Sequence, residues 1–126
     1  MKKISLLLTF CLLTITNVLA AGPAISFNKT NHDFGTIKAS KGSVSCVYEV
    51  TNTGDQPLVI ISVTNGGCGC TEPSFTQEPI APGKTGKITI TFNPEGRKGE
   101  FRREVKVKTN ASAKRIGLRF SGVIVP

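Results

Sequence analysis

The chain has 126 residues, with 16 Lys and Arg against 8 Asp and Glu, four cysteines and no tryptophan. That length fits one domain and excludes a second, and no internal repeat or low-complexity linker interrupts it. The net charge of +8 is uneven: Arg97 to Arg119 carries nine Lys or Arg against only Glu100 and Glu104.

Met1-Lys2-Lys3 precedes an apolar run from Ile4 to Ile15, followed by Asn17-Val18-Leu19-Ala20-Ala21-Gly22. A basic start, a short apolar centre and small residues at the end predict a secretory signal peptide, residues 1–20, cut after Ala20. The run is shorter than the about 20 residues a membrane span needs, so no span is expected once it is removed. Cys11 leaves with the peptide. The mature chain, residues 21–126, then forms a single domain that is exported, periplasmic or secreted. It keeps 14 basic and 8 acidic side chains, net +6. A chain of this size buries roughly 65% of its unfolded surface, enough to support its own core.

Apolar residues recur with period two along most of the mature chain, and no long stretch has helical spacing. Ile25-Ser26-Phe27 and Asp33-Phe34-Gly35-Thr36-Ile37 suggest a first strand broken at Asn31-His32. Val44, Cys46, Tyr48 and Val50 alternate with polar neighbours, and Asn52-Thr53-Gly54-Asp55 supplies turn residues that tolerate positive φ. Leu58 to Val63 reads as a strand covered on both faces. Pro82-Gly83 fits the centre of a type II turn. Ile88, Ile90 and Phe92 form the next strand, closed by Asn93-Pro94. Val105 and Val107 alternate with Glu104, Lys106 and Lys108; after Asn110-Ala111-Ser112, Ile116, Leu118 and Phe120 alternate with Arg115, Gly117 and Arg119. About seven short strands in this length predict an all-β, immunoglobulin-like antiparallel sandwich. The missing tryptophan excludes the antibody-type Cys–Trp–Cys core.

His32-Asp33-Phe34-Gly35-Thr36-Ile37, Asn52-Thr53-Gly54 with Pro57-Leu58-Val59-Ile60, Cys68-Gly69-Cys70-Thr71 and Pro82-Gly83 fall in a set order. With Gly99-Glu100-Phe101 and Val107-Lys108-Thr109-Asn110, they resemble the bacterial family called domain of unknown function 1573. The resemblance covers nearly all of the mature chain. It implies an exported immunoglobulin-like domain, related in shape to hydin and major-sperm-protein type modules, and it implies no molecular role. Cys68 and Cys70 match the family motif, whereas Cys46 sits where an ordinary core residue is expected.

Export implies an oxidising compartment. With Cys46, Cys68 and Cys70 in the mature chain, at most one pair can form within a monomer. Four readings stay open, in this order. The thiols serve packing, Cys46 as a small buried hydrophobe. Cys68 bridges Cys70, or Cys46 bridges one of them, closing about 22 to 24 residues for roughly 3 kcal/mol. The thiolates grip copper or zinc, though three Cys and His32 barely make a closed zinc site. Last comes a thiol–disulfide enzyme, disfavoured because no helix start follows the loop. No Lys, Arg or His lies within Asn65–Pro73, so an ordinary thiol pKa is expected unless distant cations fold against the loop.

No catalytic constellation stands out: His32 beside Asp33 reads as a turn pair, and the acidic residues are scattered. No catalytic residue, cofactor or metal is therefore expected. Arg102, Lys106 and Lys108 share one parity, and Arg115 and Arg119 another, so adjacent strands could present one basic face. Such a face suits an anionic polymer or another envelope protein. Nucleic acid is not expected, since no aromatic side chains interleave there. An exported, non-catalytic binding or structural module is therefore expected, one that the resemblance assigns to the bacterial envelope. A thiol-redox or soft-metal protein using Cys68, Cys70 and Cys46 is the alternative.

Overall fold

A computed structural model of the chain describes residues 22–65 and 67–126; the expected signal peptide, with Cys11, lies outside them. The elements are β1 Ile25–Phe27, β2 Asn31–Lys38, a single 3-10 turn Ala39–Lys41, β3 Val44–Asn52, β4 Ile60–Thr64, β5 Thr71–Phe75, β6 Thr85–Phe92, β7 Gly99–Thr109 and β8 Ser112–Val125. They form two four-stranded sheets, β1-β3-β6-β5 and β2-β8-β7-β4. All pairs are antiparallel except β2 with β8. The all-β sandwich expected from period-two patterning is therefore the architecture.

The alternation places Tyr48, Val50, Ile88, Ile90 and Phe92 on the inner face of one sheet and Val105, Val107, Leu118 and Phe120 on the other, all buried in one core. Each such side chain contributes about 1.5–3 kcal/mol by leaving water. Phe92 stacks on Phe101 with centroids 4.5 Å apart, and Phe120 meets Phe92 edge-on at 5.7 Å. Tyr48 crosses the sandwich: its hydroxyl donates to the Arg119 carbonyl at 2.6 Å, so a polar group in the core ties the sheets together.

Asn52 is fully buried at the end of β3. Its Nδ2 donates to the Gln56 carbonyl at 2.7 Å and the Ile80 carbonyl at 2.9 Å, while Oδ1 accepts from Gly54 N at 2.9 Å. The turn that follows contains Gly54, a residue that tolerates positive φ. Gly54 instead has no positive φ and is required by close approach, since a Cβ there would fall 2.6 Å from the Ala24 backbone nitrogen. Gly83 does have positive φ, 78°, and Lys84 N donates to Ala81 O at 2.9 Å, the turn expected at Pro82-Gly83.

Three expectations change. The break in the first strand falls at residues 28–30, not Asn31-His32, because β1 and β2 belong to different sheets and the chain must cross between them. Leu58–Val63 is not covered on both faces: β4 is an edge strand with a register shift between Ile60 and Ser62, and Ile61 is 52% exposed. β5 was missed because Pro73 breaks the strand signal. As an edge strand it tolerates a residue without an N–H.

Candidate functional site

The register gathers the basic residues as the parity predicted. Glu104 pairs with Arg119, Lys106 with Gly117 and Arg102 with Ser121 on β7 and β8. Val107 pairs with Ile116 before the register shifts, which leaves Lys108 and Arg115 at the same end of this face. Arg102, Lys106, Lys108, Arg115 and Arg119 are all exposed. Glu100 and Glu104 share the outward parity of β7, and Glu104 is the carboxylate paired with these cations. Glu104 contacts Lys106 Nζ at 3.0 Å and Arg119 Nε at 3.0 Å, and hydrogen bonds from these two hold its carboxyl below the ordinary glutamate range. Gly117 makes room for it, since a Cβ there would meet the Glu104 carboxylate at 2.6 Å. Among the described residues, Arg102, Lys108 and Arg115 have no carboxylate partner.

At one end of this face lies an open depression of about 590 Å³ lined by Asn31, Arg102, Arg103, Glu104, Arg119, Phe120 and Ser121. Three arginines thus line one concavity. Sequence parity missed Arg103, which pairs opposite the buried Phe120 yet is only half-buried, its Nη1 donating to the Arg102 carbonyl at 3.0 Å. Asn31 was also missed, because only the parallel pairing of β2 with β8 brings it beside Arg119.

The cysteine motif lies in the connection from β4 to β5, where the chain crosses from one sheet to the other. Cys68 and Cys70 form a disulfide with Cα atoms 5.3 Å apart, and Cys46 is free and buried. Of the four readings, this is the first form of the bridge; Cys46 is the small buried core residue its parity implied. Burial pushes the Cys46 thiol up, a shift opposed by the charge of Lys29. Asn65 fastens the loop independently of the sulfurs: its Nδ2 donates to Cys68 O at 3.0 Å and Thr71 O at 2.6 Å, and its Oδ1 accepts from Gly67 N at 3.0 Å.

The electrostatics of this loop differ from the expectation. The β6–β7 connection crosses the sandwich at the same end, and Asn93 N donates to Cys70 O at 2.8 Å. It brings Arg97 with it, whose Nη2 lies 3.8 Å from Cys68 Sγ. The cation missing from Asn65–Pro73 arrives from 29 residues away. No group of three or more metal-ligating side chains is found among the described residues. His32 stacks edge-on to Phe34 at 4.6 Å, and its Nδ1 is 2.8 Å from Lys29 Nζ. Burial, then the charge of Lys29, lowers its pKa, partly opposed by Asp33.

Among solved structures, the chain is similar to a protein of unknown function from Porphyromonas gingivalis W83 (TM-score 0.70, 19% identity, 82% of this chain and 48% of that one). It also resembles part of the Vibrio cholerae VesB protease (TM-score 0.61, 16% identity, 79% of this chain and 31% of that one). A third likeness is to part of the Bacteroides ovatus GH5 xyloglucanase (TM-score 0.51, 13% identity, 81% of this chain and 19% of that one). The chain therefore spans about half or less of each, and at these identities the likeness is one of fold. No curated protein sequence matches. The family profile described as "Protein of unknown function (DUF1573)" matches residues 25–124, almost all of the sandwich, and the chain belongs to that family.

Proposed function

We propose that this chain is an exported, non-catalytic immunoglobulin-like module that binds an anionic partner of the bacterial envelope through the outer face of β2-β8-β7-β4. The observation that carries this reading is the set of five exposed cations on two adjacent strands, with Glu104 the one carboxylate ion-paired to them. Such a face raises the local concentration of an anion and speeds its capture. Arg102, Arg103 and Arg119 around one depression add forked donors, which grip carboxylate or phosphate groups in a way a lone ammonium does not.

The strand order supports the immunoglobulin-like part. One sheet holds β1-β3-β6-β5 and the other β8-β7-β4 with β2 alongside, matching the four-plus-three division of the constant-type sandwich when β1 and β2 are taken as one divided strand. The module reading is supported by the matched region's being 31% of a protease and 19% of a xyloglucanase, fractions of longer chains.

Binding to polygalacturonate, with neutral dextran as control, tests the reading. Retention that weakens as salt rises toward 0.5 M, where screening shortens to about 4–5 Å, supports it. Equal binding to dextran, or none to either polymer, overturns it. Export is tested by N-terminal sequencing of material from the native host, with Ala21 the expected first residue.

A further inference from the structure

We infer that Cys68–Cys70 is a thiol–disulfide exchange site that oxidises a partner dithiol, attacked at Cys68, with Arg97 positioned to hold the Cys68 thiolate that results. This site is separate from the basic face and does not rest on the binding role proposed for it.

The two sulfurs are unlike. Cys70 is 8% exposed and belongs to the core, whereas Cys68 is half-buried and packs at its margin. An incoming thiolate therefore reaches Cys68 Sγ. That sulfur also faces two N–H donors: the Cys70 backbone amide at 3.3 Å and the Arg97 guanidinium at 3.8 Å. A backbone amide and a fixed cation lower a thiol's pKa, and stabilising the reduced form makes a disulfide a stronger oxidant. Cys70 Sγ has its own polar neighbour, the Thr71 hydroxyl at 3.5 Å, which can donate to it as it leaves. The Asn65 hydrogen bonds run to backbone groups, so opening the bridge does not release the loop.

The exchange takes two steps. A partner thiolate attacks Cys68 Sγ, the Cys68–Cys70 bond breaks, and Cys70 departs with the electron pair as a thiolate. The partner's second thiolate then attacks the partner sulfur of the mixed disulfide, and Cys68 leaves as a thiolate beside Arg97. Two electrons pass from the partner, now a disulfide, to the protein, now a dithiol. The two protons lost by the partner go to solvent or to the new thiolates.

Equilibration of the oxidised mature protein with glutathione buffers, read by alkylation and peptide mapping, tests the inference. The wild-type bridge should be reduced by glutathione, and Arg97→Ala should require a buffer about tenfold more reducing, a shift of about 30 mV for a two-electron couple. Arg97→Lys should restore part of that shift. A Cys70→Ser variant treated with an oxidised dithiol peptide should accumulate a mixed disulfide at Cys68, and Cys68→Ser should give little at the buried Cys70. The inference is overturned by a bridge that resists glutathione until the protein unfolds. Identical midpoints for wild type and Arg97→Ala, or equal trapping at Cys70, also overturn it. Loss of polygalacturonate binding touches none of these readouts.

Discussion

The two outer faces of the sandwich face the same solvent and cover the same core, yet they are chemically opposite. The outside of β1-β3-β6-β5 carries Ser45, Val47, Glu72, Ser74, Thr89 and Thr91, with the Ser45 and Thr91 hydroxyls 3.2 Å apart and Glu49 paired across the strands with Lys87. The outside of β2-β8-β7-β4 carries Arg102, Lys106, Lys108, Arg115 and Arg119 around Glu104. Hydroxyls and a few charges of both signs satisfy the demands of a solvated sheet, as the first face demonstrates. The cations of the second face exceed those demands and repel one another, and the proposed anion-binding role accounts for that excess.

The strongest way to break this contrast is to invert it. Replacing Arg102, Lys108 and Arg115 with Glu should reduce polygalacturonate binding by about 100-fold or more, because like-charge juxtaposition costs several kcal/mol. Placing Glu at Thr89 and Thr91 should leave most of the binding intact. Equal losses from both sets would mean that net charge, not a particular face, governs binding. A titration monitored by calorimetry separates the two outcomes.

Removing the disulfide should lower stability without altering either face. A bridge between residues two apart removes little chain entropy, so the Cys68→Ser, Cys70→Ser double variant should cost about 1.5 kcal/mol and keep β-type circular dichroism. Urea midpoints measure the cost. Complete loss of folding would mean that the Asn65 hydrogen bonds cannot hold the crossing from β4 to β5 alone.

A smaller effect is expected from Glu104→Gln. It frees Lys106 and Arg119 from their carboxylate and should strengthen polyanion binding by up to about fivefold, the range of exposed ion pairs. The pH dependence follows from the lowered pKa of Glu104. Its contribution to stability is present above the pKa of the unfolded chain and disappears as pH falls through the lower, folded-state value. Over that acid window wild-type affinity for a permanently charged polymer such as dextran sulfate should rise, while the Gln variant stays flat. The smallest change is Thr91→Val, expected within about 0.5 kcal/mol by thermal melting and without effect on binding.

Most of the sandwich was legible because a strand buried on one face writes its register into the sequence: Tyr48, Ile90, Val107 and Leu118 each mark an inward position. The basic face was legible for the same reason, since Lys106 and Arg119 occupy outward positions of neighbouring strands. What stayed hidden depends on contacts between distant segments. Asn31 joins the face only through the parallel β2–β8 pairing, and Arg103 occupies a position that parity assigns to the core. Arg97 reaches Cys68 only because two connections cross the sandwich at one end. β5 was hidden by the proline that an edge position permits.

Each of the four edges of this sandwich is interrupted. β1 has three residues, β5 contains Pro73, β4 shifts register beside Ile60, and β2 shifts between Asp33 and Thr36, where Gly35 takes positive φ and the Asp33 carboxylate caps its amide at 2.8 Å. A foreign strand finds no straight row of amides and carbonyls to extend. Molecules of this chain are thereby discouraged from zipping together edge to edge, even in a crowded compartment.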